Sequence, residues 1–200
     1  MSTMTPAEWN ARYIANELPW DSGVASKELI RVLDEEKIAP CRAAELGCGT
    51  GTNSVYLASR GFDVTGMDCS PVALEQARKK AAAASSKAEF LEADLCRFNQ
   101  QLEAFEFIFD RGCYHSVRRV DIAGFLRTLR QLSKPGTRYL MLAGNANEEG
   151  PGPPRVHEHE IRIDLEGLFE IQFIREFRFE VIDPPQGFLA WSCLMTRRAT

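Results

Sequence analysis

The sequence predicts an α/β fold, with a doubly wound, mostly parallel sheet closed by an antiparallel strand at its C-terminal end. Three observations carry that prediction. From Cys41 onward, short apolar runs alternate with amphipathic stretches through brief links, the pattern of parallel strands crossed over by helices. A glycine-rich turn, Gly47-Cys48-Gly49-Thr50-Gly51, lies between the first apolar run and the first of these helices. The next apolar run, Val64-Thr65-Gly66-Met67, ends on an acidic residue, Asp68.

In chain order, 9–13 and 26–33 read as two short amphipathic helices joined by the turn-like Pro19-Trp20-Asp21-Ser22-Gly23. A strand follows over 41–46, a helix over 52–60 and a strand over 62–67. Ser70 and Pro71 supply an N-cap and first position for a helix over 71–84. Strands are expected at 89–91 and 105–110, a helix at 121–132 and a strand at 138–143. The Gly-, Asn-, Glu- and Pro-rich stretch 144–154 reads as a loop at a strand's C-terminal end, where open α/β sheets hold ligands. A helix over 158–168 and strands over 170–177 and 188–196 complete the chain. Two successive strands without a helix between them form an antiparallel hairpin most simply.

Two hundred residues, 44% of them hydrophobic, suffice for one core, so a single domain is expected over 1–200, with an N-terminal helical part (1–38) and the sheet core (39–200). The net charge of -4 comes with scattered basic residues and gives no electrostatic footprint for nucleic acid. No apolar run reaches membrane-spanning length, and the first ten residues lack a secretory pattern, so no membrane partner and a cytoplasmic location are expected. The six cysteines are dispersed without a C-x-x-C pair, which argues against disulfides and zinc. His157 and His159 would share a face of a strand and could in principle hold a metal, but their surroundings suggest a helix start; no metal is expected. The sequence does not fix an oligomeric state, and a monomer is compatible with it.

Glycines at alternate positions let the backbone turn tightly against a ligand, and an acidic residue ending the second strand is placed to bind the hydroxyls of an adenosine ribose. The spacing is G-x-G-x-G and lacks the longer interval that seats a diphosphate over a helix N-terminus, so a cofactor without phosphates is expected. S-adenosylmethionine fits. Asp94 after the third strand is a plausible acceptor for an adenine amine, with Leu95 against the ring. The segment Phe109-Asp110-Arg111-Gly112-Cys113-Tyr114-His115 ends the fourth strand and should face the reactive end of the cofactor.

The chain resembles the class I S-adenosylmethionine-dependent methyltransferases, and within them the thiopurine S-methyltransferase family with its halide and thiol methyltransferase relatives. The spacing of Trp9, Tyr13 and Trp20 with the Pro19-Trp20-Asp21 turn, the triplet Asp110-Arg111-Gly112, and Gly152-Pro153-Pro154-Arg155-Val156 carry the resemblance. It implies a seven-stranded Rossmann-like methyltransferase sheet under an N-terminal helical lid, in which Trp9, Tyr13 and Trp20 close over the cofactor. The candidate cofactor contacts are then Trp9, Tyr13, Trp20, Glu45, Gly47, Gly49, Gly51, Asp68, Cys69, Asp94, Leu95 and Asp110. Arg111 matches the family arginine that contacts the substrate, and His115 is the candidate general base, with a packing histidine the competing reading. The family's second substrate arginine has no counterpart in Pro184-Pro185-Gln186-Gly187-Phe188. That departure favours a small thiol or comparable soft nucleophile over a thiopurine-like anion. An oxygen, nitrogen, halide or metalloid acceptor (tellurite, for example), a silent cofactor-binding regulator and an NAD-linked oxidoreductase stay open as alternatives.

Overall fold

The structure, a computed structural model, describes residues 4–150, 152, 154–181 and 187–199. Helix α1 (Pro6–Ala15) is started by a capping box: Thr5 accepts the Glu8 amide, and the Glu8 carboxylate accepts the Thr5 amide at 2.7 Å. Helix α2 (Lys27–Glu35) begins at the N-cap Ser26 and buries Leu29, Val32 and Leu33 against the sheet. Helix α1 extends beyond both limits expected from periodicity, and α2 starts one residue later and ends two residues later than expected.

The sheet contains β1 (Arg42–Leu46), β2 (Asp63–Asp68), β3 (Glu89–Glu92), β4 (Phe105–Arg111), β5 (Ser133–Asn145), β6 (Arg155–Val156), β7 (Phe169–Arg178) and β8 (Leu189–Arg197). Their spatial order is β3-β2-β1-β4-β5-β8-β7, with the two-residue β6 paired to β5. Strands β1 to β5 run parallel, and β8 is antiparallel to both β5 and β7. The expected closing hairpin is therefore present. The eighth strand, β6, was not foreseen; it follows directly on the expected loop 144–154, of which Gly152 and Pro154 are described and Pro151 and Pro153 lie outside the described residues.

Alternation along the central strands explains why the sheet is covered on both faces. On β4, Phe107 and Phe109 point to the side of Leu29, Leu33 and Leu57, whereas Ile108 packs with Phe125, Leu129 and Tyr139 on the other. Each such side chain contributes about 1.5–3 kcal/mol through burial. Helices α3 (Thr52–Ser59), α4 (Pro71–Ala83), α5 (Tyr114–Leu132) and α6 (Glu158–Leu165) complete the layers. Ser70 caps α4 as expected, accepting the Ala73 amide at 3.1 Å.

Helix α5 corrects the sequence reading, which began it at Asp121. Asp121 does cap a helical segment, accepting the Gly124 amide at 2.8 Å, and its own φ of -158° and ψ of 85° break the helix there. A further helical stretch precedes that kink because Asp110, from the end of β4, accepts the amides of Cys113 and Tyr114 at 2.8 and 2.9 Å. No neighbouring Ser, Thr or Asn announces this start. Helix α6 stops at Leu165, shorter than expected, and His157 is its N-cap residue, so His157 and His159 belong to a helix start. No metal-ligand cluster occurs among the described residues, and no helix is long and apolar enough to cross a membrane.

Candidate active site

The order of the sheet reverses between β1 and β4, the position where open α/β sheets form a crevice at their strand ends. Register aligns those ends: Leu46 pairs with Met67 on one side and with Asp110 on the other, and Asp68 pairs with Glu92. Carboxylates at or just past the ends of four strands, Glu45, Asp68, Asp94 and Asp110, thus lie at the glycine-loop end of the sheet.

Gly47, Gly49 and Gly51 all adopt positive φ, at 64°, 53° and 75°, a region that other residues enter at a cost of about 1–2 kcal/mol. Space is equally restrictive. A Cβ on Gly47 would stand 2.9 Å from that of Cys113, one on Gly49 2.8 Å from the Tyr13 hydroxyl, and one on Gly51 2.8 Å from Ala77. The loop is held by Asp68, whose Oδ2 accepts the Gly49 amide and whose Oδ1 accepts the Ser70 amide, both at 2.9 Å. A carboxylate has about four acceptor positions, so Asp68 retains capacity for ribose hydroxyls. Burial pushes its pKa up.

The N-terminal segment crosses this crevice. Trp20 stands edge-on to both Trp9 and Tyr13, with ring centroids 5.6 and 6.3 Å apart. Tyr13 is buried over Gly49. Three contacts outside the sequence reading fasten the segment: Ser70 donates to Asn10 Oδ1 (2.8 Å), Thr50 donates to Asp21 Oδ2 (2.6 Å), and the Ser26 amide donates to Asn53 Oδ1 (2.9 Å). Lys80 donates to the hydroxyls of Thr50 and Thr52. Asp21 stood within a motif already noted; Asn10, Asn53 and Lys80 carried no local signal, since their partners lie 27 to 60 residues away in sequence.

Arg111 is the fourth fastening. Its Nη1 donates to the Trp20 carbonyl at 3.2 Å and its Nη2 to the Glu180 carbonyl at 2.5 Å, while its guanidinium lies 4.9 Å from the Phe179 ring. Desolvation lowers its pKa, offset by the charges of Glu180, Glu45 and Asp21. The arginine therefore joins the N-terminal segment to the one after β7.

Two expected roles change. The Asp110 carboxylate is fully buried and receives the Cys113 and Tyr114 amides and the Tyr139 hydroxyl (3.0 Å), so it shapes the loop and does not face the crevice. Burial raises its pKa to about 7. His115 accepts the Gly144 amide on Nδ1 at 2.8 Å, which leaves the proton of the neutral ring on Nε2. Its pKa is lowered to about 3 by burial, then by Arg119 and Arg111. An imidazole with one nitrogen occupied and the other protonated has no free acceptor for a proton, an arrangement that favours the packing reading over the general base. Glu45 is buried with Oε1 on Asn53 (3.0 Å) and Oε2 on Ser54 (2.5 Å), its pKa raised by burial to about 7. Leu95 belongs to the core with Phe125 and Leu129, Asp94 accepts the Cys96 amide at 2.9 Å, and Cys69 is half-buried with a thiol pushed up to about 12 by burial and Asp68.

This donor set fits a cationic, phosphate-free adenosine cofactor. A diphosphate would meet acidic side chains, whereas the glycine cradle, Asp68 and the aromatic cover suit a ribose and a sulfonium. A cleft of about 480 Å³ beside Arg118, Glu148 and His157 lies elsewhere, at the β5–β6 end.

Residues 43–136 match a family model described as a methyltransferase domain. The chain is 28% identical over 153 residues to a 2-heptyl-1-hydroxyquinolin-4(1H)-one methyltransferase of Mycobacteroides abscessus, covering 74% of this chain and 67% of that one. It is likewise 28% identical over 156 residues to probable thiol methyltransferase 2 of Arabidopsis thaliana, covering 77% and 69%. A structure solved in work on the conversion of a disulfide bond into a thioacetal group during echinomycin biosynthesis superposes with a TM-score of 0.84 at 23% identity, over 97% and 93% of the two chains.

Proposed function

Because the chain is an S-adenosylmethionine-dependent methyltransferase, we propose that it methylates a small soft nucleophile and that a thiol is its acceptor. The observation that carries this reading is the state of Arg111. Its two terminal nitrogens are engaged by the Trp20 and Glu180 carbonyls, so the arginine that would hold an anionic acceptor is already occupied in closing the site. The segment expected to provide a second arginine, 184–188, contains none; residues 184–186 of it lie outside the described residues. The Arabidopsis relative's name, a probable thiol methyltransferase, supports the same acceptor.

When bound, the cofactor supplies an electrophilic methyl group on a cationic sulfur. The chain's own contribution is positional. Asp68 would accept ribose hydroxyls, Asp94 would receive the adenine amine, and the backbone of Gly47 to Gly51 would accommodate the amino-acid portion. The faces of Trp9, Tyr13 and Trp20 attract the sulfonium by about 0.5–2 kcal/mol per contact. The N-terminal segment, closed over the crevice, would exclude water and orient acceptor and cofactor, and such positioning is worth roughly 7–11 kcal/mol of a barrier.

Mass spectrometry of products from a thiol panel, with calorimetry of S-adenosylmethionine and S-adenosylhomocysteine, tests the reading. S-methyl products are expected. Methylation confined to hydroxyl or ring-nitrogen acceptors would replace the thiol; the M. abscessus relative's hydroxyquinolone favours oxygen as that second reading.

A further inference from the structure

We infer that Glu180 is the acceptor-facing base of this site, and that the acceptor is therefore a neutral molecule carrying an ionisable hydrogen rather than an inorganic anion. The inference rests on the methyltransferase reading above and deepens it.

A neutral thiol must lose its proton as its sulfur is methylated, and His115 has no free acceptor for it. The other ionisable groups around Arg111 are committed. Glu45 is closed by Asn53 and Ser54, Asp110 by two amides and Tyr139, and Asp21 accepts the Thr50 hydroxyl. Glu180 differs. Its Oε2 is buried and receives no hydrogen bond from the described residues, although the carboxylate lies within the field of the Arg111 guanidinium. The two side chains form no ion pair within 4 Å, because Arg111 Nη2 binds the Glu180 main-chain carbonyl instead. Phe179 fixes the position of that carbonyl, stacking on Arg111 and standing edge-on to Phe177 and His115.

Leaving a buried carboxylate oxygen without a donor is costly. A donor from the acceptor would relieve it, and the location at the β4 end, where the lid carbonyl of Trp20 also arrives, is where that donor would stand. The step balances. The X–H bond breaks, its proton passes to Glu180, and the X electron pair forms the bond to the methyl carbon. The carbon–sulfur bond of the sulfonium breaks, giving X–CH3, a neutral carboxylic acid and S-adenosylhomocysteine. Glu45 and Asp21 share the field of the Arg111 guanidinium, and His115 is neutral. The same carboxylate repels halide or thiocyanate.

The test compares wild type and Glu180→Gln with benzyl mercaptan, which arrives protonated, and 4-nitrothiophenol, which arrives as the thiolate. With benzyl mercaptan the variant should be at least about 100-fold slower near neutral pH, the usual contribution of a positioned base, and its rate should rise with pH only as the thiol itself ionises. With 4-nitrothiophenol, whose thiolate needs no base and then meets one negative charge fewer, the variant should be unchanged or faster, and S-adenosylhomocysteine affinity should be unaltered. Formate should restore part of the benzyl mercaptan rate to Glu180→Ala. Equal rates with both thiols in wild type and variant, or equal losses with both, would overturn the role of Glu180 while leaving thiol methylation intact. Turnover of iodide or thiocyanate alone by a wild type that binds S-adenosylhomocysteine would overturn the thiol assignment as well.

Discussion

Replacing Arg111 by alanine should loosen the N-terminal segment while sparing the sheet. The side chain makes two charge-assisted hydrogen bonds, to the carbonyls of Trp20 and Glu180, each worth about 1.5–3 kcal/mol, and a cation–π contact with Phe179 worth about 0.5–2 kcal/mol. The gross interaction is roughly 4–8 kcal/mol by those figures. Burying a guanidinium costs several kcal/mol in return, as its lowered pKa indicates, leaving on the order of 2 kcal/mol net. That difference changes the open fraction about 30-fold. Hydrogen exchange followed by mass spectrometry should therefore show amides of α1 exchanging about 30-fold faster in Arg111→Ala. Amides of β1 and β4 should keep their protection, because Asn10, Asp21 and Ser26 still hold the segment near the sheet. Arg111→Lys should behave similarly, since an ammonium cannot span both carbonyls as the planar fork does. Unchanged α1 exchange with lost turnover would refute the latch and leave Arg111 acting on the acceptor alone. Faster exchange throughout would show a global loss of fold.

Three other outcomes follow from the same geometry. Asp68→Asn should weaken S-adenosylhomocysteine binding about tenfold or more, one charge-assisted hydrogen bond being worth about 1.5–3 kcal/mol; Asp68→Ala should also lower Tm by freeing the Gly49 and Ser70 amides, and unchanged affinity in both would remove Asp68 from the site. His115→Asn should lower Tm yet preserve the shape of the pH–rate profile, because a ring with a pKa near 3 is already neutral; loss of an acidic limb in this variant alone would contradict the assignment. Glu45 and Asp110, raised by burial from 4.5 and 3.8 to about 7, bind more protons in the native than in the unfolded chain. Their contribution is complete below the unfolded values and fades as pH rises through about 7, so the cofactor-free protein should gain Tm from pH 8 down to about 5.5. The limits are about 3 and 4 kcal/mol, and a flat or opposite trend, or no reduction of the slope in Asp110→Asn, would refute the burial account.

Features encoded in neighbouring residues were legible in the sequence. The alternation of apolar runs located all the longer strands, Ser70-Pro71 announced α4, and the glycines at 47, 49 and 51 do occupy conformations that other residues resist. What escaped was encoded across the chain. The first turns of α5 depend on Asp110 reaching over Gly112, with no side-chain cap at Cys113 itself. His115 has the type and position of a base, and only the Gly144 amide, 29 residues on, shows that its nitrogen is taken. The fastenings of the N-terminal segment are of the same kind, joining Asn10 to Ser70 and Asp21 to Thr50. Glu180 stands just past a predicted strand, where nothing local distinguishes a solvated carboxylate from an enclosed one.

The six cysteines, first noted for forming no disulfide pattern, have a chemical consequence for an enzyme that handles an activated methyl group. None is exposed, and burial raises the pKa of every one, to about 11 for Cys41 and Cys96 and about 12 for Cys69, with Cys48, Cys113 and Cys193 also pushed up. A thiol of pKa 11 is about one part in ten thousand thiolate at pH 7, and only the thiolate attacks carbon. Cys48 and Cys113 border the glycine loop, within reach of the reagent the site is built to hold. The fold thereby protects the catalyst from alkylating itself, keeping its own sulfurs unreactive beside the sulfur it is proposed to modify.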